Sequence, residues 1–278
     1  MLIACVQTDI DFADVKANQT RVFQWLEKAA AANAQLVVFP ECMLTGYAYD
    51  SRESASNVAI SVDSAILTEL AAAAKDYGLH ATLGFLESDG ERLYNSAALI
   101  GPQGVVGVYR KIHLPHLGVD RFVDRGDIPY RTLAAGDANV GLAICYDSSF
   151  PEPMRVLGLA GADIIALGTN WPVTAARTAD LVPASRSMEN HLFFVAANRI
   201  GEENGFEFCG RSSICGPDGV VLAQSNDDQP VMLLADVDLA QARNKRIERT
   251  KDAHVIDRFK DRRPEFYGDI AAQNRDMS

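Results

Sequence analysis

Hydrophobic and polar positions along this chain follow two alternating periods. Leu2–Val6 is a short apolar run that predicts a first strand. In Ala13–Asn33 the residues Val15, Val22, Phe23, Leu26, Ala29 and Ala30 fall on one side at helical spacing, which predicts a helix with one inward face. Leu36–Phe39 reads as a buried strand stopped by Pro40. Asp63–Tyr77 reads as a second helix, with Ile66, Leu67, Leu70 and Ala74 inward and Gly78 as its stop. Strands are expected at His80–Glu87, Leu93–Ile100 and Val105–Tyr109, with Asp89-Gly90 as a hairpin turn.

The second half repeats this order. Val140–Cys145 predicts a strand, Glu152–Ala160 a helix, Asp163–Leu167 a strand, Thr178–Asn190 a helix and Leu192–Asn198 a strand. Ser212–Cys215 and Val220–Ala223 then flank Gly216-Pro-Asp-Gly219, matching the earlier Gly101-Pro-Gln-Gly104 in GPQGVV against GPDGVV. Alternating strands and helices imply mostly parallel pairing with helices over a sheet. Each half would leave one apolar sheet face bare. The simplest burial is sheet against sheet with helices outside, so the expected fold is α/β, a four-layer αββα sandwich built from two pseudo-repeated halves.

Composition narrows the setting. A chain of 278 residues with 48% apolar content can bury a sizeable core. Its net charge of −11 argues against a nucleic-acid or anionic-membrane surface. Met1-Leu-Ile-Ala-Cys5 has the outline of a lipoprotein box but lacks a basic segment and a long apolar stretch, so it reads as strand. No apolar run approaches the ~18 residues of a membrane span. The cysteines at 5, 42, 145, 209 and 215 form no CxxC pair, which points to a reduced, cytoplasmic setting and away from zinc-ribbon or thioredoxin sites.

Ligands of open α/β sheets bind beyond the carboxyl ends of strands. That rule selects Glu41 after Phe39, Lys111 after Tyr109 and Cys145 after Ile144. A Cys at a strand end, with a helix opening near Pro151, is either a packed core thiol or a nucleophile beside backbone N–H groups and a positive helix end. Glu41 is either a loop acid or a proton carrier, and Lys111 either a surface cation or an anion stabiliser. Taken together, thiol, carboxylate and ammonium suit acyl transfer: attack on an amide or nitrile carbon, a thioester, then hydrolysis. His113 and His116 form HxxH, but Pro115 between them spoils a helical metal spacing, so both read as structural and no metal is expected. His191, where a helix meets a strand, reads as packing.

VVFPECMLTGY, YRKIHLP and GLAICYDSSFPE resemble, in order, the three signature segments of the nitrilase superfamily of carbon–nitrogen hydrolases. The similarity continues through GADIIALGTNWP and RSMENHLFFVAANRIGEENGFEFCGRSSICGPDGVVL, to about residue 236. It implies a hydrolase domain over 1–240 with Glu41 as general base and acid, Lys111 as oxyanion stabiliser, Cys145 as nucleophile and the Tyr146 N–H as a second oxyanion donor. It also implies the αββα sandwich, no cofactor, and homo-oligomers, at least dimers. Many members carry a further Glu in the loop after the Lys. Here the loop offers Asp120 in its place, with Asp124 as fallback.

Tyr-Asp after the Cys resembles the amidase and carbamoylase branches, whereas nitrilases more often show Trp-Glu. The expected substrate is therefore a small linear amide or ureido compound. Glu41, Asp120 and Asp147 near the mouth would suit a neutral or cationic substrate; a carboxylate would have only Arg177 or Arg121. Tyr47, Asn170 and Trp171 are candidate pocket walls, with packing as their other reading. A non-enzymatic scaffold with a vestigial site is the alternative of another class. Residues 241–278 read as a C-terminal arm, charge-rich over Arg243–Lys260, with Phe266 and Tyr267 expected against a partner subunit or over the site.

Overall fold

The computed structural model describes residues 1–272, which divide at Arg243/Asn244 into a large body and a small tail. The body runs β1 (Leu2–Gln7), α1 (Val15–Ala31), β2 (Leu36–Val38), α2 (Arg52–Ser56), α3 (Ala65–Tyr77), β3 (His80–Asp89), β4 (Arg92–Gly101), β5 (Gly104–Arg110) and β6 (Thr132–Ala135). It continues β7 (Ala138–Ile144), α4 (Pro151–Leu159), β8 (Ile164–Thr169), α5 (Ala176–Asn190), β9 (Phe193–Asn198), β10 (Glu202–Glu203) and β11 (Phe206–Glu207). The elements β12 (Ser213–Cys215), β13 (Val221–Gln224), β14 (Val231–Asp236) and α6 (Leu239–Arg243) complete it.

Two six-stranded sheets result, ordered β14-β1-β2-β3-β4-β5 and β6-β7-β8-β9-β12-β13. In each, three parallel strands are followed by two antiparallel ones and preceded by an antiparallel edge strand. The pseudo-repeat is thus a property of the fold. Period-two alternation does the layering. Ile3 and Cys5 of β1 pack with residues of the second sheet, while Ala4 and Val6 face Val22, Leu26 and Ala29 of α1 and Leu67, Leu70 and Ala74 of α3. Across the sheet interface the Cys5 thiol donates to the Ala196 carbonyl at 3.3 Å. On the far side Met154 and Leu157 of α4 and Ala179 of α5 cover the second sheet. The architecture is a four-layer αββα sandwich.

Local chemistry sets the helix ends. Asp14 caps α1 through Ala17 N–H, Ser64 caps α3 through Leu67 N–H, and Gly78 closes α3 in the left-handed region at φ 67°. Four strands of the body go beyond the sequence expectation: the short hairpin β10–β11 and the edge strands β6, which pairs with the adjacent β7, and β14, which is recruited from distant chain to pair with β1. Among the described residues no helix is long and apolar enough to cross a membrane. In the tail, the charge-rich stretch forms a hairpin, β15 (Arg246–Thr250) with β16 (His254–Asp257). Lys245 lies 4.8 Å from the Phe259 ring centroid, Tyr267 is part-exposed and Phe266 is largely exposed.

Candidate active site

The strand ends bring the acid, the cation and the thiol to one rim. Glu41 lies just past β2, Lys111 directly after β5 and Cys145 directly after β7. The Glu41 segment is seated between the two sheets by glycines: a Cβ on Gly84 of β3 would stand 2.4 Å from Cys42 N, and one on Gly168 of β8 would stand 2.9 Å from Glu41 N. No larger residue fits either place without moving the acid.

Lys111 is wholly buried and its Nζ donates to Glu41 Oε1 at 2.7 Å and to Asp120 Oδ2 at 2.6 Å. Asp120, the expected stand-in for the family's further Glu, thus bonds the same ammonium as Glu41. The fallback, Asp124, does not reach this group; it pairs with Arg52 at 2.7 Å and accepts from Leu93 N–H at 3.0 Å. Asn95, on β4, was not singled out from the sequence. Its Nδ2 donates to Glu41 Oε1 at 2.8 Å and to Asp120 Oδ1 at 3.0 Å. Tyr47 donates its hydroxyl to Asp120 Oδ2 at 2.8 Å. Its loop is pinned by Glu203, which accepts from the Tyr47 and Ala48 N–H groups and pairs with buried Arg199.

These contacts set the charges. Burial pulls the Lys111 ammonium toward neutrality, but Asp120, Glu41 and Cys145 outweigh it and hold its pKa well above the usual lysine value. Burial raises the Glu41 pKa, and the Asp120 charge adds to this against Lys111 and Asn95. Cys145 is pushed up to about 12 by burial and the Glu41 charge, opposed by Lys111, the Thr169 hydroxyl and the Asn170 N–H. The sulfur thus rests as a thiol beside a carboxylate of raised basicity.

Cys145 occupies a strained turn, with φ 41° where an L-residue is disfavoured. Asp147 holds that turn. Its carboxylate accepts from Ile144 N–H at 3.0 Å and the Tyr109 hydroxyl at 2.8 Å, and lies 2.7 Å from His113 Nδ1, which must carry the proton because a carboxylate only accepts. Ser148 donates to the Cys145 carbonyl at 2.7 Å, and Arg186 to the Ser148 carbonyl at 2.9 Å. This corrects the expectation of an acidic mouth: Asp147 has no exposed surface, and Glu41 and Asp120 share a cation. His113 stacks on Phe150 at 4.2 Å, His116 is exposed, and His191 caps α5 and bonds Pro217 O at 3.0 Å.

Among the remaining candidates, Trp171 is buried, with its backbone N–H on Asn198 Oδ1 at 2.8 Å. Asn170 is buried, and neither polar atom of its side chain has a hydrogen-bond partner. The Tyr146 side chain, expected as a pocket group, is exposed and meets Phe150 edge-on at 5.1 Å. Arg121 is tied to the Gly118 and Tyr49 carbonyls, and Arg177 is exposed. Among the described residues no group of three or more His, Cys, Asp or Glu is arranged to hold a metal ion.

Fold and sequence together place the protein among hydrolases of carbon–nitrogen bonds. The carbon–nitrogen hydrolase family matches residues 2–247, and the chain belongs to it. It is 37% identical over 266 residues to a nitrilase of Pyrococcus abyssi (strain GE5 / Orsay), covering 95% of this chain and 98% of that one. It is 31% identical to an (R)-stereoselective amidase of Pseudomonas sp, covering 95% and 92%. Among solved structures, an amidase of the nitrilase superfamily from Nesterenkonia AN1 superposes with TM-score 0.80 at 24% identity over 97% of each chain, a likeness of fold.

Proposed function

We propose that the protein hydrolyses small amides to acid and ammonia through a thioester on Cys145. The observation that carries this reading is the buried Lys111 ammonium bonded at once to Glu41 and Asp120 beside the thiol. Glu41 takes the thiol proton as the sulfur attacks the amide carbon. Lys111 and the Tyr146 N–H stabilise the oxyanion. Glu41 then passes the proton to the leaving nitrogen, ammonia departs, and water, activated by the same carboxylate, attacks the thioester to release the acid and restore the thiol. Asp120 keeps Lys111 charged and aimed. No step calls for a cofactor.

Nitrile cleavage is the second reading, favoured by the name of the Pyrococcus relative. Fluoroacetamide separates the mechanism from a scaffold role; a covalent addition of its acetamide moiety has been seen at the active-site cysteine of the E41Q mutant of the Nesterenkonia amidase. Intact mass and peptide mapping are expected to place one such group on Cys145. No adduct, with no ammonia from a panel of amides, would support the scaffold. Ammonia from nitriles but not from amides would shift the reading to nitrilase.

The protein is further proposed to act as a homo-oligomer. Val156 and Leu159 of α4 and Leu181 and Met188 of α5 are exposed, whereas Tyr77 is the only large exposed hydrophobic residue on α1 and α3. A second copy would cover the α4–α5 face, and Phe266 and Tyr267 of the tail would contact that partner. Light scattering is expected to give at least twice the 30.2 kDa chain mass; a monomer at micromolar concentration would overturn the assembly.

A further inference from the structure

We infer that Asn95 is a positioning residue that turns Glu41 so that Oε2, and not Oε1, is the oxygen that exchanges protons with Cys145 and the substrate. The inference rests on the reading above and names an element of the site that the sequence left unmarked.

Each amide hydrogen of Asn95 has its own acceptor, Glu41 Oε1 at 2.8 Å and Asp120 Oδ1 at 3.0 Å. The orientation of the amide is fixed by chemistry: ionised carboxylates only accept, so the NH2 must face them. On its other side the Cys42 thiol lies 3.5 Å from Asn95 Oδ1 and donates to it. Cys42 is buried and its pKa is raised well above the thiol norm, so it keeps that proton. The Asn95 main chain is held as well, its carbonyl accepting the Lys111 N–H at 2.8 Å. The whole residue is locked to the strand pair that delivers the cation.

The consequence falls on Glu41. Its Oε1 accepts two hydrogen bonds, from Lys111 Nζ and Asn95 Nδ2. Its Oε2 is buried and accepts none. A buried carboxylate oxygen without a donor is costly unless it is kept for something that arrives. Oε1 is committed to holding the acid in place, and Oε2 retains the free lone pairs that a base needs. Without Asn95, Lys111 alone would hold Oε1, and rotation of the carboxylate would trade the two oxygens. The charged and titratable groups around Glu41 are Lys111, Asp120, Cys145, Cys42 and Tyr47. Of the neutral contacts only the Asn95 amide bonds the carboxylate directly, and it favours the ionised form.

The test compares Asn95→Ala and Asn95→Ser with the parent in two assays. One is amide hydrolysis across pH. The other is alkylation of Cys145 by iodoacetamide across pH, which needs no substrate and so survives even if amides are not the substrate. For Asn95→Ala the expected result is a fall in kcat of about 10- to 100-fold with KM within about twofold. The acid limb of kcat/KM and the alkylation profile should both move to higher pH, because the acid loses a donor to its ionised form. Asn95→Ser, which keeps a hydroxyl donor, should lie between. Parent-like pH profiles in both variants, or a change in KM alone, would overturn the inference. So would failure of both variants to fold, which would make Asn95 a structural residue. If the parent alkylates at Cys145 but hydrolyses no amide, the functional reading fails, and the alkylation profiles still decide the role of Asn95.

Discussion

Cys145→Ala should lose amide turnover by a factor on the order of 10⁵ or more, because nucleophile and base act as one unit and neither supplies much alone. The fold should be retained: the change deletes one buried atom and leaves untouched the Asp147, Ser148 and Arg186 contacts that hold the turn. Matching melting curves with background ammonia release is the expected pair of results. Ammonia release at parental rates would sink the thioester route. The pH dependence of the parent follows from the same groups. With the thiol pushed up to about 12, the sulfur is protonated throughout the neutral range and must give its proton to Glu41. Glu41 is itself raised by burial. Activity should therefore fall as pH drops through a limb lying above the ordinary carboxylate range of about 4, read as kcat/KM against pH.

Lys111→Met should abolish activity and also unsettle the fold. The ammonium joins two carboxylates at 2.7 and 2.6 Å with no exposed side-chain surface on any of the three groups. Removing it leaves uncompensated buried charge, a loss of about 3–5 kcal/mol, or roughly 10 °C in Tm for a body of this size. The sign with pH is definite. In the variant the carboxylates gain a proton on folding, since their folded pKa lies above the unfolded value. The stability deficit is therefore full at pH above that folded pKa and shrinks as pH falls through it. Thermal unfolding of parent and variant between about pH 5 and 8 checks this; a deficit that grows on acidification would contradict the pairing. In the parent, the raised Lys111 pKa contributes stability that is complete at neutral pH and lost only as pH rises through it.

Much of this was legible because the chemistry sits where strands end. Glu41, Lys111 and Cys145 each follow an apolar run, and the rule that ligands gather beyond carboxyl ends was enough to bring them together. Asp120 was readable through the resemblance alone, as the acid in the loop where many members carry a further Glu. Asn95 was not, because it lies inside a strand, where alternation predicts only which face a residue takes. Its meaning depends on β4 lying beside β5, a pairing that sets Asn95 next to Lys111. Asp147 was misread for a related reason. A single 3-10 turn folds its side chain back onto the Ile144 N–H, so an acid two residues past the Cys is a strut and not part of the mouth. The edge strands β6 and β14 also escaped. One is four residues of Thr, Leu and Ala, and the other finds its partner at the opposite end of the chain.

That last pairing bears on how the molecule is made. Leu2 lies opposite Asp236 and Gln7 opposite Val231, so the outer flank of β1 is closed by almost the final segment of the body to leave the ribosome. At ~5–20 residues per second, the amino-terminal strand waits roughly 10 to 50 s with one row of amides and carbonyls open. An open row of that kind is a template for intermolecular pairing. The nascent chain therefore has a defined window of vulnerability, and a stall before residue 231 would hold it there.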